Sequence, residues 1–97
     1  MNLGSTIVQL REKKALNQGQ LAVELGISQT YLCQIENNKK VPNMGLLETI
    51  GKVLCTPLPF LFFLSIDAED VPERNRGHFE AIGPQIKEFI TALIHEA

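Results

Sequence analysis

The stretch from Gln18 to Asn37 constrains this chain more than any other part of it. Apolar residues at Leu21, Leu25, Ile27, Leu32 and Ile35 read as two short helices, about Gln18 to Leu25 and Gln29 to Asn37, joined by a tight corner. Gly26 stands directly after Leu25, where a helix ends in a left-handed residue that glycine adopts at little cost. Ser28 then offers an N-cap oxygen to the next helix, and the small Ala22 lets a second helix approach closely. Two helices crossing through such a turn bury one face and leave the second helix proud of the surface. That is the geometry needed to enter a DNA major groove.

The flanking segments are also helical in pattern. Leu3, Ile7 and Leu10 recur at i, i+4 and i+7 and predict a first helix over Leu3 to Lys14, with Arg11 one step further on the same face. Lys13 and Lys14 suit its C-terminal dipole. Asn17 is placed to cap the second helix, with Gln20 three residues on as in a capping box. Asn38 is the left-handed residue after the third helix, and Pro42 stops further helix. Asn43 caps a fourth helix, Met44 to Leu54, with Leu46, Leu47, Ile50, Val53 and Leu54 inward. Leu58 to Ile66 is apolar almost all round, which predicts cover on two sides. Asp67 to Gly77 reads as a polar linker and His78 to Ile82 as a turn or two of helix. Gly83-Pro84 reads as an interruption, with Pro84 in the first turn of a last helix from Gln85 to about His95. That helix repeats Ile86, Phe89, Ile90, Leu93 and Ile94 at i, i+3, i+4, i+7 and i+8.

The segment LNQGQLAVELGISQTYLCQIENNKKVP, residues 16–42, resembles the helix-turn-helix of the phage repressor and Cro family, the XRE-type domains. The similarity extends roughly from Leu3 to Leu64. It implies an all-α fold: a five-helix lambda-repressor-like domain over residues 1–66. The remaining third carries no family signal, and its own pattern reads as a linker and C-terminal amphipathic helical extension, 67–97, expected to serve dimerisation. By this resemblance Gln29, Thr30 and Gln34 occupy base-reading positions, and Gln and Asn amides suit an adenine edge bidentately. Cys33 shares their face, as a neutral filler, a contact for a thymine methyl or an oxidant-sensitive thiol. Gln18 matches a phosphate-contacting position. Asn37, Asn38, Lys39 and Lys40 would flank the groove, and Tyr31 is either a half-buried aromatic or a hydroxyl donor to phosphate. Arg11 and Glu36 correspond to a structural ion pair between the first and third helices. The chain departs from the family in having Asn38 and Cys55 where glycine is usual, and Pro57 where a capping serine is usual.

Composition sets limits on this expectation. The net charge is −2, yet residues 1–57 carry a net +2 and residues 58–97 a net −4, so the half expected to meet phosphate is the basic one. Cys33 and Cys55 have no neighbouring ligands at metal spacing, so neither zinc nor a disulfide framework is expected. The longest apolar run, Leu58 to Leu64, is interrupted by Pro59 and falls far short of the ~20 residues that span a bilayer. No signal peptide is evident, and a cytoplasmic location is expected. His78 and His95 read as isolated surface histidines, outside any catalytic constellation, so no enzyme, metal, cofactor or small-molecule ligand is expected.

The function these features imply is that of a double-stranded DNA-binding transcription regulator, a repressor, acting as a homodimer on a near-palindromic operator. Dimerisation would use Phe60, Phe63, Ile86, Phe89, Ile90, Leu93 and Ile94; the alternative is that the last helix folds back on the segment from Phe60 to Ile66 and closes a monomer, and the expectation is that this packing occurs and the composite surface then pairs. The same motif would serve an antitoxin or a restriction-modification controller. The negative total charge and neutral reading face leave open a protein-interaction module that has lost DNA binding.

Overall fold

Six α-helices follow one another in the computed structural model, which describes residues 1–95 apart from the His95 side chain; the reading of His95 as a surface histidine therefore lies outside the described residues. They are α1 (Leu3–Lys13), α2 (Gln18–Leu25), α3 (Gln29–Glu36), α4 (Met44–Val53), α5 (Leu58–Leu64) and α6 (Arg76–His95), with 3₁₀ turns at Ala68–Asp70 and Glu73–Asn75. The first four match the expected helices to within one residue at each end, and α5 lies within the apolar segment from Leu58 to Ile66. Ile7, Leu10, Leu21, Ala22, Leu25, Leu32, Ile35, Leu47, Ile50, Leu54 and Leu61 form one buried core, so each of α1, α2, α3, α4 and α5 contributes to it, Leu54 from the cap of α4. No single helix among the described residues is long and apolar enough to cross a membrane. The α4 and α5 pair has that composition only when joined across a 92° bend.

Side chains cap the N-termini of the first four helices. Asn2, Asn17, Ser28 and Asn43 each accept a backbone N–H from the third residue on, and Asn17 with Gln20 completes the reciprocal capping box. The same four helices end in a left-handed residue with paired backbone bonds, in the Schellman arrangement. The residues are Ala15, Gly26, Asn38 and Cys55, at φ 57°, 71°, 60° and 54°. Leu16, Ile27, Lys39 and Thr56 then donate back to Arg11, Ala22, Gln34 and Gly51. Only one of the four positions is glycine. Ala15 holds its conformation against a cost of about 1–2 kcal/mol. Ala15→Gly is therefore expected to stabilise the protein by about 0.5–1 kcal/mol, part of the relief being offset by the freer unfolded chain. Urea denaturation measures this, and a destabilised variant would contradict it.

The start of α1 packs tightly on the end of α3. A Cβ on Gly4 would lie 2.3 Å from the Glu36 carbonyl oxygen, so only a hydrogen fits there. Thr6 Oγ1 donates to the Asn2 and Leu64 carbonyls at 3.1 Å each, tying α1 to the end of α5. α5 packs against α1, α4 and α6. Leu61 is fully buried, whereas Phe60, Phe62, Phe63 and Leu64 remain half-buried, so the expected cover is incomplete within one chain.

The C-terminal third differs from expectation. The break at Gly83-Pro84 is absent: α6 is one helix with Pro84 in its interior. Proline there removes an N–H and normally costs about 3 kcal/mol, but the helix continues through it with contacts on both sides. The Phe79 ring covers buried Gly83, where a Cβ would meet it at 3.3 Å. Lys87 Nζ sits 5.5 Å from the centroid of that ring and donates to the Ile66 carbonyl. The linker is likewise ordered into 3₁₀ turns, with Arg76 Nε donating to the Ala68 and Val71 carbonyls. The Met1 ammonium lies 2.7 Å from Asp70 Oδ2. This contact, with the Asp67 N–H, holds the Asp70 carboxyl below its ordinary range.

Candidate nucleic-acid interface

α3 buries Leu32, Ile35 and Glu36 and turns Gln29 and Thr30 fully outward, with Cys33 and Gln34 half-exposed beside them. Gln18, Gln29, Thr30, Cys33 and Gln34 line one shallow open concavity of about 350 Å³. The structure thus brings all four candidate base-reading residues together with Gln18, the first residue of α2.

A continuous polar chain runs beneath this face. Arg11 Nε donates to Glu36 Oε2 at 2.8 Å and Arg11 Nη2 donates to Glu36 Oε1 at 3.2 Å. Arg11 Nη1 donates to the Leu16 carbonyl at 3.1 Å. Their side chains are 13% and 4% exposed, so the pair is largely out of water, and Arg11 uses Nε and one N–H of each terminal nitrogen within the protein. Gln18 Nε2 donates to Glu36 Oε1 at 2.9 Å, and Gln18 Oε1 accepts from Gln29 Nε2 at 3.3 Å. The structural pair therefore orients the Gln29 amide through Gln18. Gln29 keeps one amide N–H and its carbonyl oxygen free. Those are the donor and acceptor that an adenine edge takes.

The flanking residues divide in use. Lys39 and Lys40 are exposed just past the end of α3. Asn37 and Asn38, grouped with them from the sequence as phosphate contacts, each donate from the side-chain amide to a partner within the protein. Asn37 Nδ2 donates to the Cys33 carbonyl and Sγ at 2.8 and 3.4 Å, and Asn38 Nδ2 donates to Asn2 Oδ1 at 2.8 Å. Tyr31 is half-buried against the core.

The helical family model described as "Helix-turn-helix" matches residues 7–61, more than half of the chain. The chain belongs to this family, of the phage repressor and Cro, XRE type. This helix-turn-helix protein is also 42% identical over 49 residues to the ImmF control region 10 kDa protein of Bacillus phage phi105. The match takes in 50% of the chain and 54% of the relative, so the chain spans about half the length of that curated relative. No solved structure gives a significant match.

The C-terminal stripe, expected as one apolar face, is split by the packing of α6. Ile94 packs against the core and Ile90 is half-buried beside it. Ile86, Phe89 and Leu93 point away, 41%, 63% and 53% exposed, and Ile82 joins them at 53%. The outward set has the spacing 4-3-4, that of a two-helix seam. Sequence periodicity could not find Ile82, because the expected break at Pro84 placed it in a different element.

Proposed function

We propose that this helix-turn-helix protein is a sequence-specific transcription regulator, acting in the cytoplasm as a homodimer that represses from a near-palindromic operator and carries no catalytic activity. The observation that carries this reading is the outward amide and hydroxyl face of α3, with Gln29 oriented by Gln18 and lysines at the helix end. Its donors and acceptors are preset for base edges rather than consumed by the fold. The phage relative, a control-region protein by its name, supports the regulatory role. Residues 1–66 read DNA in this proposal. The extension, 67–97, pairs two copies through Ile82, Ile86, Phe89 and Leu93, with Phe60 and Phe63 at the margin. Pairing sets two recognition helices about one DNA turn, ~34 Å, apart.

Selection of bound duplexes from a random pool, followed by gel shift, tests this reading. Gln29→Ala and Gln34→Ala are expected to relax preference at particular base pairs, by about 1–3 kcal/mol for each lost bidentate contact. Lys39→Ala and Lys40→Ala are expected to weaken all sequences alike and flatten the salt dependence. Unchanged sequence preference in both glutamine variants would overturn the assignment.

A further inference from the structure

We propose that Asn38 is a positioning residue for DNA binding: its side-chain amide clasps the end of the recognition helix to the start of α1 and so fixes where Lys39 and Lys40 present their charges. The proposal rests on the DNA-binding reading above. Asn38 sits at φ 60°, a conformation glycine would take more cheaply. Its side chain supplies what glycine cannot. Asn38 Oδ1 accepts from the Gly4 N–H at 2.9 Å, satisfying one of the donors a helix start leaves unpaired. Asn38 Nδ2 donates to Asn2 Oδ1 at 2.8 Å, and the same oxygen accepts from the Ser5 N–H at 3.0 Å as the cap of α1. Asn2 is held in turn by its own N–H, which donates to the Ser65 carbonyl at 2.7 Å.

The lysines are tied to this clasp through the backbone. The Lys39 and Lys40 N–H groups both fold onto the Gln34 carbonyl, at 2.8 and 3.3 Å, so their main chain moves with the end of α3. The side chain of Asn38 then anchors that end to α1, at the point where the missing side chain of Gly4 allows contact with the Glu36 carbonyl. The clasp holds two cations at a set position before DNA arrives, which lowers the ordering cost of the phosphate contacts.

The test uses the full chain and a duplex chosen by selection, with affinity measured across a series of salt concentrations and amide hydrogen exchange followed at Gly4. Asn38→Gly keeps the left-handed backbone without strain and removes both side-chain bonds. It is expected to fold, to speed exchange at Gly4, to bind the duplex about tenfold more weakly and to lower the salt slope by about one. Asn2→Asp keeps an acceptor for both the Ser5 N–H and the Asn38 amide. It is expected to retain affinity and slope, whereas Asn2→Ala follows Asn38→Gly. A folded Asn38→Gly protein with faster Gly4 exchange but unchanged affinity and salt slope would overturn the positioning role while leaving the DNA reading intact. Failure of the unmodified protein to select any duplex would overturn both.

Discussion

Glu36→Ala is expected to cost about 3–5 kcal/mol of stability, a large part of what a small domain possesses. Glu36 accepts from Arg11 Nε and Nη2 and from Gln18 Nε2, and its removal strands all of these donors in a largely dry site. Arg11→Met is expected to fall in the same range, because it leaves a carboxylate that is 4% exposed with only Gln18 as a partner. The two costs should not add. Arg11→Met combined with Glu36→Leu removes both charges and refills the space with apolar groups, so the double variant is expected to be more stable than Glu36→Ala alone. It should nonetheless bind DNA less selectively, since Gln18 then loses the anchor through which it orients Gln29. Urea denaturation of the three variants provides the stabilities. A cost below about 1 kcal/mol for Glu36→Ala would show that the pair is far less important to the fold than its geometry implies.

Ile86→Asp combined with Phe89→Asp is expected to yield folded monomers whose operator affinity falls by about 100-fold or more, because each half-site must then be held separately. Both side chains are substantially exposed in the single chain, so charging them leaves the core untouched. The exposed set at positions 82, 86, 89 and 93 presents four large apolar side chains at helical spacing along α6. Its immediate flanks, Ala81, Gln85, Ile90 and Ala92, carry no charge, so two copies can meet there without like-charge repulsion. Ile94→Asp serves as a contrast. Ile94 packs against the core, so charging it is expected to lower stability before it alters association. Sedimentation at micromolar protein, with gel shifts of the same samples, decides the matter. An unmodified protein that sediments as a monomer, with operator affinity unchanged in the double variant, would remove the support for pairing through α6.

Much of the helix-turn-helix half was legible from residue order, because its signals are short-range. Caps at Asn17, Ser28 and Asn43, the left-handed Gly26 and Asn38, and the apolar period of each helix all act within one or two turns, and they fall where expected. The outward set on α3 followed from the same period once Leu32 and Ile35 were assigned to the core. Other features had no local signal. Nothing near Asn2 in the chain indicates a bond to Asn38, since the two lie 36 residues apart and meet only when α1 crosses the end of α3. The link from Glu36 through Gln18 to Gln29 likewise exists only once three helices have docked.

The sequence by itself determined where the first four helices begin and end, and which residues of α3 face outward, because backbone conformation and helical period depend on near neighbours. The extension was decided by contacts that its residue order does not show. Gly83-Pro84 carries the local signature of a break, yet α6 continues through it because Phe79 and Lys87 secure the helix on either side against its own turn and the Ile66 carbonyl. Packing also decided which apolar residues of that helix were consumed and which were left over. Ile90 and Ile94 turn toward the body while Ile82, Ile86, Phe89 and Leu93 stay outside, and the side a helix presents is set by the long-range surface it lies against rather than by its own period.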